Sequence, residues 1–243
     1  MKYLTVFLLF FSNSIIASTL TVFADINMYY DDTATSSGND QVALNLLDGG
    51  TNVFMSTQYN PATSFTADGM FSVYDAAAGV TANRTDAELT AGMLAGVNLL
   101  VLDINFNYVS PYDTSEQSVI KNFLDGGGNV ALIGEATTTQ TAISYNQLLL
   151  SLGSSISYNG SFLCCGNYHS ADTILDTPIT AGVSDFTLGA SNTLSGGTAA
   201  IQDQGFTVVA YEVSPTTAVP IPAAVWLFGS ALAGLGWFKR KAA

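Results

Sequence analysis

Two apolar runs fix the kind of sheet this chain can build. Leu99-Leu-Val-Leu-Asp-Ile104 and Asn129-Val-Ala-Leu-Ile-Gly134 are each six residues long and bounded by turn residues, with almost no polar alternation. A strand wetted on one side alternates apolar and polar positions, whereas a continuous run needs cover on both faces. Segments with helical spacing supply that cover. They are Asp40–Leu47, with Asp40 as N-cap and Gly49-Gly50 as stop, Asp86–Ala95 capped by Thr85, Glu116–Leu124 introduced by Pro111 and Ser115, and Thr141–Leu152 ending at Gly153. Other strands are expected at 19–26, 52–57, 156–162, 193–200 and 206–213, with a looser stretch before Asp75. Strands alternating with helices predict βαβ units and a mainly parallel α/β sheet. The closing strands have no helices between them and are expected to form an antiparallel edge or a hairpin.

The two ends differ from this middle. Met1-Lys2 followed by apolar Leu4–Phe11 and the small residue Ala17 reads as a signal peptide over residues 1–17. At the other end, Val219 to Phe238 is uncharged over twenty residues, about the length that crosses a ~30 Å hydrocarbon layer. Pro220 and Pro222 cannot continue a helix, so a C-terminal transmembrane helix is expected from Ala223, with Trp226 and Trp237 near its ends. Lys239, Arg240 and Lys241 form a basic cap that stays inside. The organisation expected is a signal peptide (1–17), one exported domain (18–213), a linker (214–218) and a C-terminal segment (219–243). Export across the inner membrane and transient membrane anchoring follow from it.

The motif Val219-Pro-Ile-Pro-Ala223, the Trp226-Leu-Phe-Gly-Ser230 core and the basic end resemble the VPLPA variant of the PEP-CTERM sorting signal, with Ile221 in place of the usual Leu. The resemblance covers the tail alone. It implies an exosortase-type sorting enzyme as partner and a final location at the cell surface, or outside the cell, of a Gram-negative bacterium.

In the middle, three phrases together resemble the class I glutamine amidotransferase-like superfamily. They are Leu99–Ile104, the stretch from Ser115 through Gly126-Gly-Gly128 to Gly134, and Asp176-Thr-Pro-Ile-Thr-Ala-Gly-Val183. The resemblance implies a flavodoxin-like three-layer α/β/α sandwich. Active members carry a cysteine nucleophile on the turn after the second strand, in Gly-x-Cys-x-Gly. Here that turn reads Gly134-Glu-Ala-Thr-Thr138, so Ala136 occupies the thiol's place and cannot attack a carbonyl.

Charge narrows the partners. All 19 carboxylates but only two of the six basic residues, Arg84 and Lys121, lie between the two ends. Such a surface repels nucleic acid and suits an abundant exported protein. Chemistry-bearing residues are few. Glu135 sits at the end of a strand, where open α/β sheets bind ligands. Cys164 and Cys165 are adjacent, and His169 is the one histidine. Glu135, Cys164 and His169 therefore form the candidate ligand site, and no cofactor is expected. A calcium-stabilised adhesin using Asp25, Asn27, Asp31 and Asp32 is a further reading, although their spacing lacks an EF-hand's glycine turn and closing glutamate. The expected function is non-catalytic binding of a glycan, a matrix protein or the chain itself. The alternative is a surface hydrolase using Glu135 or the Cys164/His169 pair.

Overall fold

The computed structural model describes residues 17–30, 36–59, 67–104, 111–163 and 168–214. Its strands are β1 (Ser18–Phe23), β2 (Asn52–Tyr59), β3 (Thr81–Thr85), β4 (Leu99–Ile104), β5 (Asn129–Gly134), β6 (Ser157–Leu163), β7 (His169–Ser170), β8 (Thr173–Ile174), β9 (Thr187–Leu188), β10 (Ser191–Ser195), β11 (Thr198–Asp203) and β12 (Phe206–Ser214). The helices are α1 (Ser37–Asn45), α2 (Asp68–Ala76), α3 (Thr114–Asp125) and α4 (Thr139–Ser151), with 3-10 turns at Ile26–Tyr29 and Pro178–Thr180.

Ten strands form one sheet in the order β3-β2-β4-β5-β1-β12-β10-β6, with β11 paired to β12 and β8 to β11. Pairing is parallel from β3 through to β1. From β1 onward every pairing is antiparallel. This corrects the expected flavodoxin-like, mainly parallel sheet: the molecule is mixed α/β, and antiparallel pairings outnumber parallel ones. The physical reason lies in the connections. A parallel neighbour needs a crossover of a dozen residues or more, whereas a two-residue turn can join only antiparallel strands. Gln204 and Gly205, both at positive φ (49° and 79°), make such a turn between β11 and β12. Of the two forms expected for the closing strands, the hairpin is the one found, in β11 and β12, and β12 lies against β1 in the interior of the sheet.

The continuous apolar runs behave as their composition requires, since every residue of β4 and of β5 is buried. Side chains alternate between two cores. Leu99, Val101, Ala131 and Ile133 pack with residues of α1, the turn that follows it and α2, including Val42, Leu46, Met70 and Tyr74. Leu100, Leu102, Val130 and Leu132 pack with Ile120 and Leu124 of α3 and Tyr145, Leu148 and Leu149 of α4. The expected helix over 86–95 does not form. Leu89 and Leu94, its two buried apolar residues, are five positions apart and do not share a helical face. Instead Glu116 holds the segment: its carboxylate accepts from Leu89 N (3.0 Å), Asp113 N (3.1 Å) and Tyr59 Oη (3.2 Å). The stretch read as loose contains α2, whose Met70 and Tyr74 are one helical turn apart and fully buried.

Among the described residues no helix is long and apolar enough to cross a membrane. The segment in which a C-terminal transmembrane helix is expected, from Ala223 on, lies outside the described residues. Val219–Ala223, Lys239–Lys241 and residues 1–16 of the expected signal peptide lie outside the described residues.

Because Glu116 is 1% exposed and serves three donors, Glu116→Ala should leave buried N–H and O–H groups unpaired. The expected loss is about 2–4 kcal/mol in denaturant unfolding, with faster amide exchange at Leu89.

Candidate functional site

β1 and β5 are parallel neighbours, so their C-terminal ends lie side by side, with Phe23 opposite Ile133. Asp25 follows the first strand and Glu135 the second. Both are buried, Asp25 completely and Glu135 to 5% exposure. Asn27 joins them: its Nδ2 donates to Asp25 Oδ1 at 2.9 Å and to Glu135 Oε2 at 3.3 Å. Asp25 Oδ1 also accepts from Asn27 N at 2.6 Å, and Oδ2 accepts from Gly189 N at 2.7 Å. A Cβ at Gly189 would come to 3.1 Å from Asn27 Cβ, so a side chain there would press on the residue that joins the two acids.

Burial is the main cause of the electrostatics. It raises Asp25 to about 6 against the opposing pull of its hydrogen bonds from Gly189 and Asn27. It raises Glu135 to about 8, with the Asp25 charge adding to the effect. At neutral pH the pair therefore carries one negative charge, on Asp25, and one proton, on Glu135.

The turn from β5 into α4 is closed. Ala136 is 3% exposed and packs in the core with Tyr145 and Leu148. The Asn192 side chain grips its backbone from both sides: Asn192 Nδ2 donates to Ala136 O at 2.9 Å, and Ala136 N donates to Asn192 Oδ1. Asn192 N donates to Ala24 O at 2.8 Å, so β10 is fastened to the ends of both β1 and β5. Tyr158 Oη adds donations to Gly134 O (3.1 Å) and Phe23 O (3.3 Å).

Of the residues expected to form a site, Glu135 and His169 are both near this edge but make no hydrogen bond to each other among the described residues. The His169 ring meets Asp203 Oδ2 at 3.2 Å, and it is close enough to Asp25 to act on its carboxyl. Cys164 and Cys165 lie outside the described residues, as do Asp31 and Asp32 of the calcium reading. Asp25 and Asn27 do come together, but both Asp25 oxygens are occupied by N–H donors. Among the described residues no group of three or more His, Cys, Asp or Glu could hold a metal ion.

Sequence reasoning missed Asn192 and Asp203, which arrive from the antiparallel strands β10 and β11, and Gly189, which lies in the connection leading into β10. It also missed that Asp25 and Glu135 form a pair. One signal was available: each acid stands within two residues of the end of an apolar strand. No family model matches the chain, and no curated protein matches it. Among solved structures it is similar to one described as the mmIFT52 N-terminal domain, at 15% identity over 65% of this chain and 75% of that chain, with a TM-score of 0.45. At that distance the similarity has no bearing on function.

Both acids titrate higher in the folded protein than in the unfolded chain, so folding takes up protons. The pair's contribution to stability is full below about pH 4, and it is lost as pH rises through about 6 for Asp25 and about 8 for Glu135. Stability from this source should fall by a few kcal/mol between about pH 5 and 8, read as a declining Tm. Glu135→Gln keeps the shape of the protonated acid and should remove the upper part of that slope.

Proposed function

We propose that this chain is an exported, non-catalytic domain of a bacterial surface or extracellular matrix, sorted by an exosortase-type enzyme and serving as a binding or structural module. The observation that carries the non-catalytic reading is Ala136. It stands where the resemblance places a nucleophile, and it is buried with its backbone held by Asn192. A cysteine placed there would still face the core. The two acids do have separated titration ranges, the arrangement from which acid/base catalysis is built. Yet Asp25 is wholly buried, and Glu135 nearly so, behind Asn27 and the connection between β9 and β10 that carries Gly189. They serve as an internal proton store that holds the edge together.

The proline motif Val219–Ala223 and the basic cap Lys239–Lys241 support sorting, and the concentration of carboxylates between the ends supports an extracellular life in a matrix rich in glycans or other proteins.

Intact-mass measurement of the protein from native cells should find it in the surface or extracellular fraction, lacking residues 1–17 and cut near Val219–Ala223. A full-length chain in the cytosol would overturn the sorting reading. A broad hydrolase screen should show no turnover for the wild type or for Ala136→Cys. Turnover abolished by Glu135→Gln would instead establish the hydrolase.

A further inference from the structure

The outermost strand on the antiparallel side carries a reactive pair that the Asp25–Glu135 edge does not use. β6 ends the strand path and is bonded to β10. Tyr158 pairs with Leu194 and Phe162 with Asn192, so Asn159, Gly160 and Ser161 together face a single residue, Thr193. An insertion of this kind bends an edge strand and interrupts its ladder. All three residues are exposed, and Asn159-Gly160 is the chain's one Asn-Gly pair.

Gly160 has a φ of 72°, and a Cβ added there would meet nothing within 4 Å. With no side chain of its own, the residue leaves its amide nitrogen unshielded from the carboxamide that precedes it. That carboxamide is held at both ends. Its Oδ1 accepts from Ser195 Oγ at 2.5 Å, and its Nδ2 donates to Thr193 Oγ1 at 3.3 Å. A hydroxyl donating to the carbonyl oxygen draws electron density from Cγ. The same donor stabilises the negative oxygen that forms when a nucleophile adds there.

We propose that Asn159 is a self-modification site, converted without an enzyme to aspartate and isoaspartate through a cyclic imide, with Ser195 as the activating donor. In the first step Gly160 N bonds to Asn159 Cγ and gives its proton to solvent base. The Cγ–Nδ2 bond breaks, and the nitrogen takes up a proton and leaves as ammonia. Water then opens the ring. Addition at Cγ gives aspartate; addition at the backbone carbonyl carbon gives isoaspartate, whose main chain runs through Cγ and is a methylene longer. No electrons are transferred, and water is the one co-reactant. Either product adds a negative charge to an exposed edge, and charge on an edge strand opposes pairing with another chain. β6 therefore becomes a poorer template for association as the protein ages. This site is separate from the Asp25–Glu135 edge and does not depend on the function proposed above.

The full chain, held for days in warm, mildly alkaline buffer and then digested with pepsin in acid, can be mapped by electron-transfer fragmentation, which separates aspartate from isoaspartate. Asn83, exposed on β3 at the opposite edge of the sheet and followed by Arg84, is the internal reference. Both acids should accumulate at position 159 while Asn83 stays intact. Ser195→Ala should slow the conversion about three- to tenfold, the worth of one hydrogen bond to the transition state, and should change nothing once both chains are unfolded in urea. Conversion at Asn159 no faster than at Asn83 would overturn the site, and aspartate without isoaspartate would overturn the cyclic route. A folded Ser195→Ala chain that reacts as fast as the wild type, or faster, would overturn the role of Ser195.

Discussion

The structure depends on how the backbone is satisfied where β1 and β5 end. In an open parallel sheet, those ends leave peptide groups facing a crevice, and ligands settle there. In this chain one asparagine occupies that position. Asn192 supplies a main-chain donor to Ala24, and a carboxamide matched to both the N–H and the C=O of Ala136. A side-chain amide is the natural group for this, because it offers a donor and an acceptor with the spacing of a peptide. With Asn192 in place, the antiparallel strands are fixed to the parallel half and the turn into α4 cannot open.

Closing the edge buries acids, and the chain meets that cost with protons in place of counter-ions. Among the described residues, no lysine or arginine is recorded at Asp25 or Glu135; the described ion pairs of Arg84 and Lys121 are with Asp68 and Asp125. Amides do the work instead: Asn27 spans both carboxyls and Gly189 reaches the far oxygen of Asp25. Neutral donors lower the energy of a buried carboxylate less than a cation would, so Glu135 keeps its proton at neutral pH. The one histidine, tied to Asp203, is a further group that acts on Asp25.

How much of this could be read in the sequence follows from the range of each interaction. β4, β5, α3 and α4 were legible because their signals are local: an unbroken apolar run, a turn of glycines, or a capping residue next to a periodic stretch. Even so, the true cap of α3 is Asp113, in a capping box with Glu116. α2 was hidden because Ala67 gives it no side-chain cap and Gly69 weakens its first turn. The segment 86–95 misled in the opposite sense, since its propensity was overruled by a glutamate nearly thirty residues away. Sheet order was beyond reach: placing β12 against β1 is a choice made across most of the chain, and only its hairpin turn was written locally. Within the site, Glu135 could be picked out as a carboxylate at a strand end. Asp25 was noticed for cation binding, which its engaged oxygens do not serve. Their partnership depends on burial and on strands contributed from far downstream, and no spacing rule reports either.

The pairing of Ser18 with Ser214 puts the start of β1 and the end of β12 at one pole, on adjacent antiparallel strands. Tension between the two chain ends would therefore load the β1–β12 ladder one rung at a time, as a zipper opens, with no rows of bonds strained together. Held by one end only, the domain feels no such load. An attachment through a single terminus leaves the ladder at rest and turns the Asp25–Glu135 edge away from the anchor point.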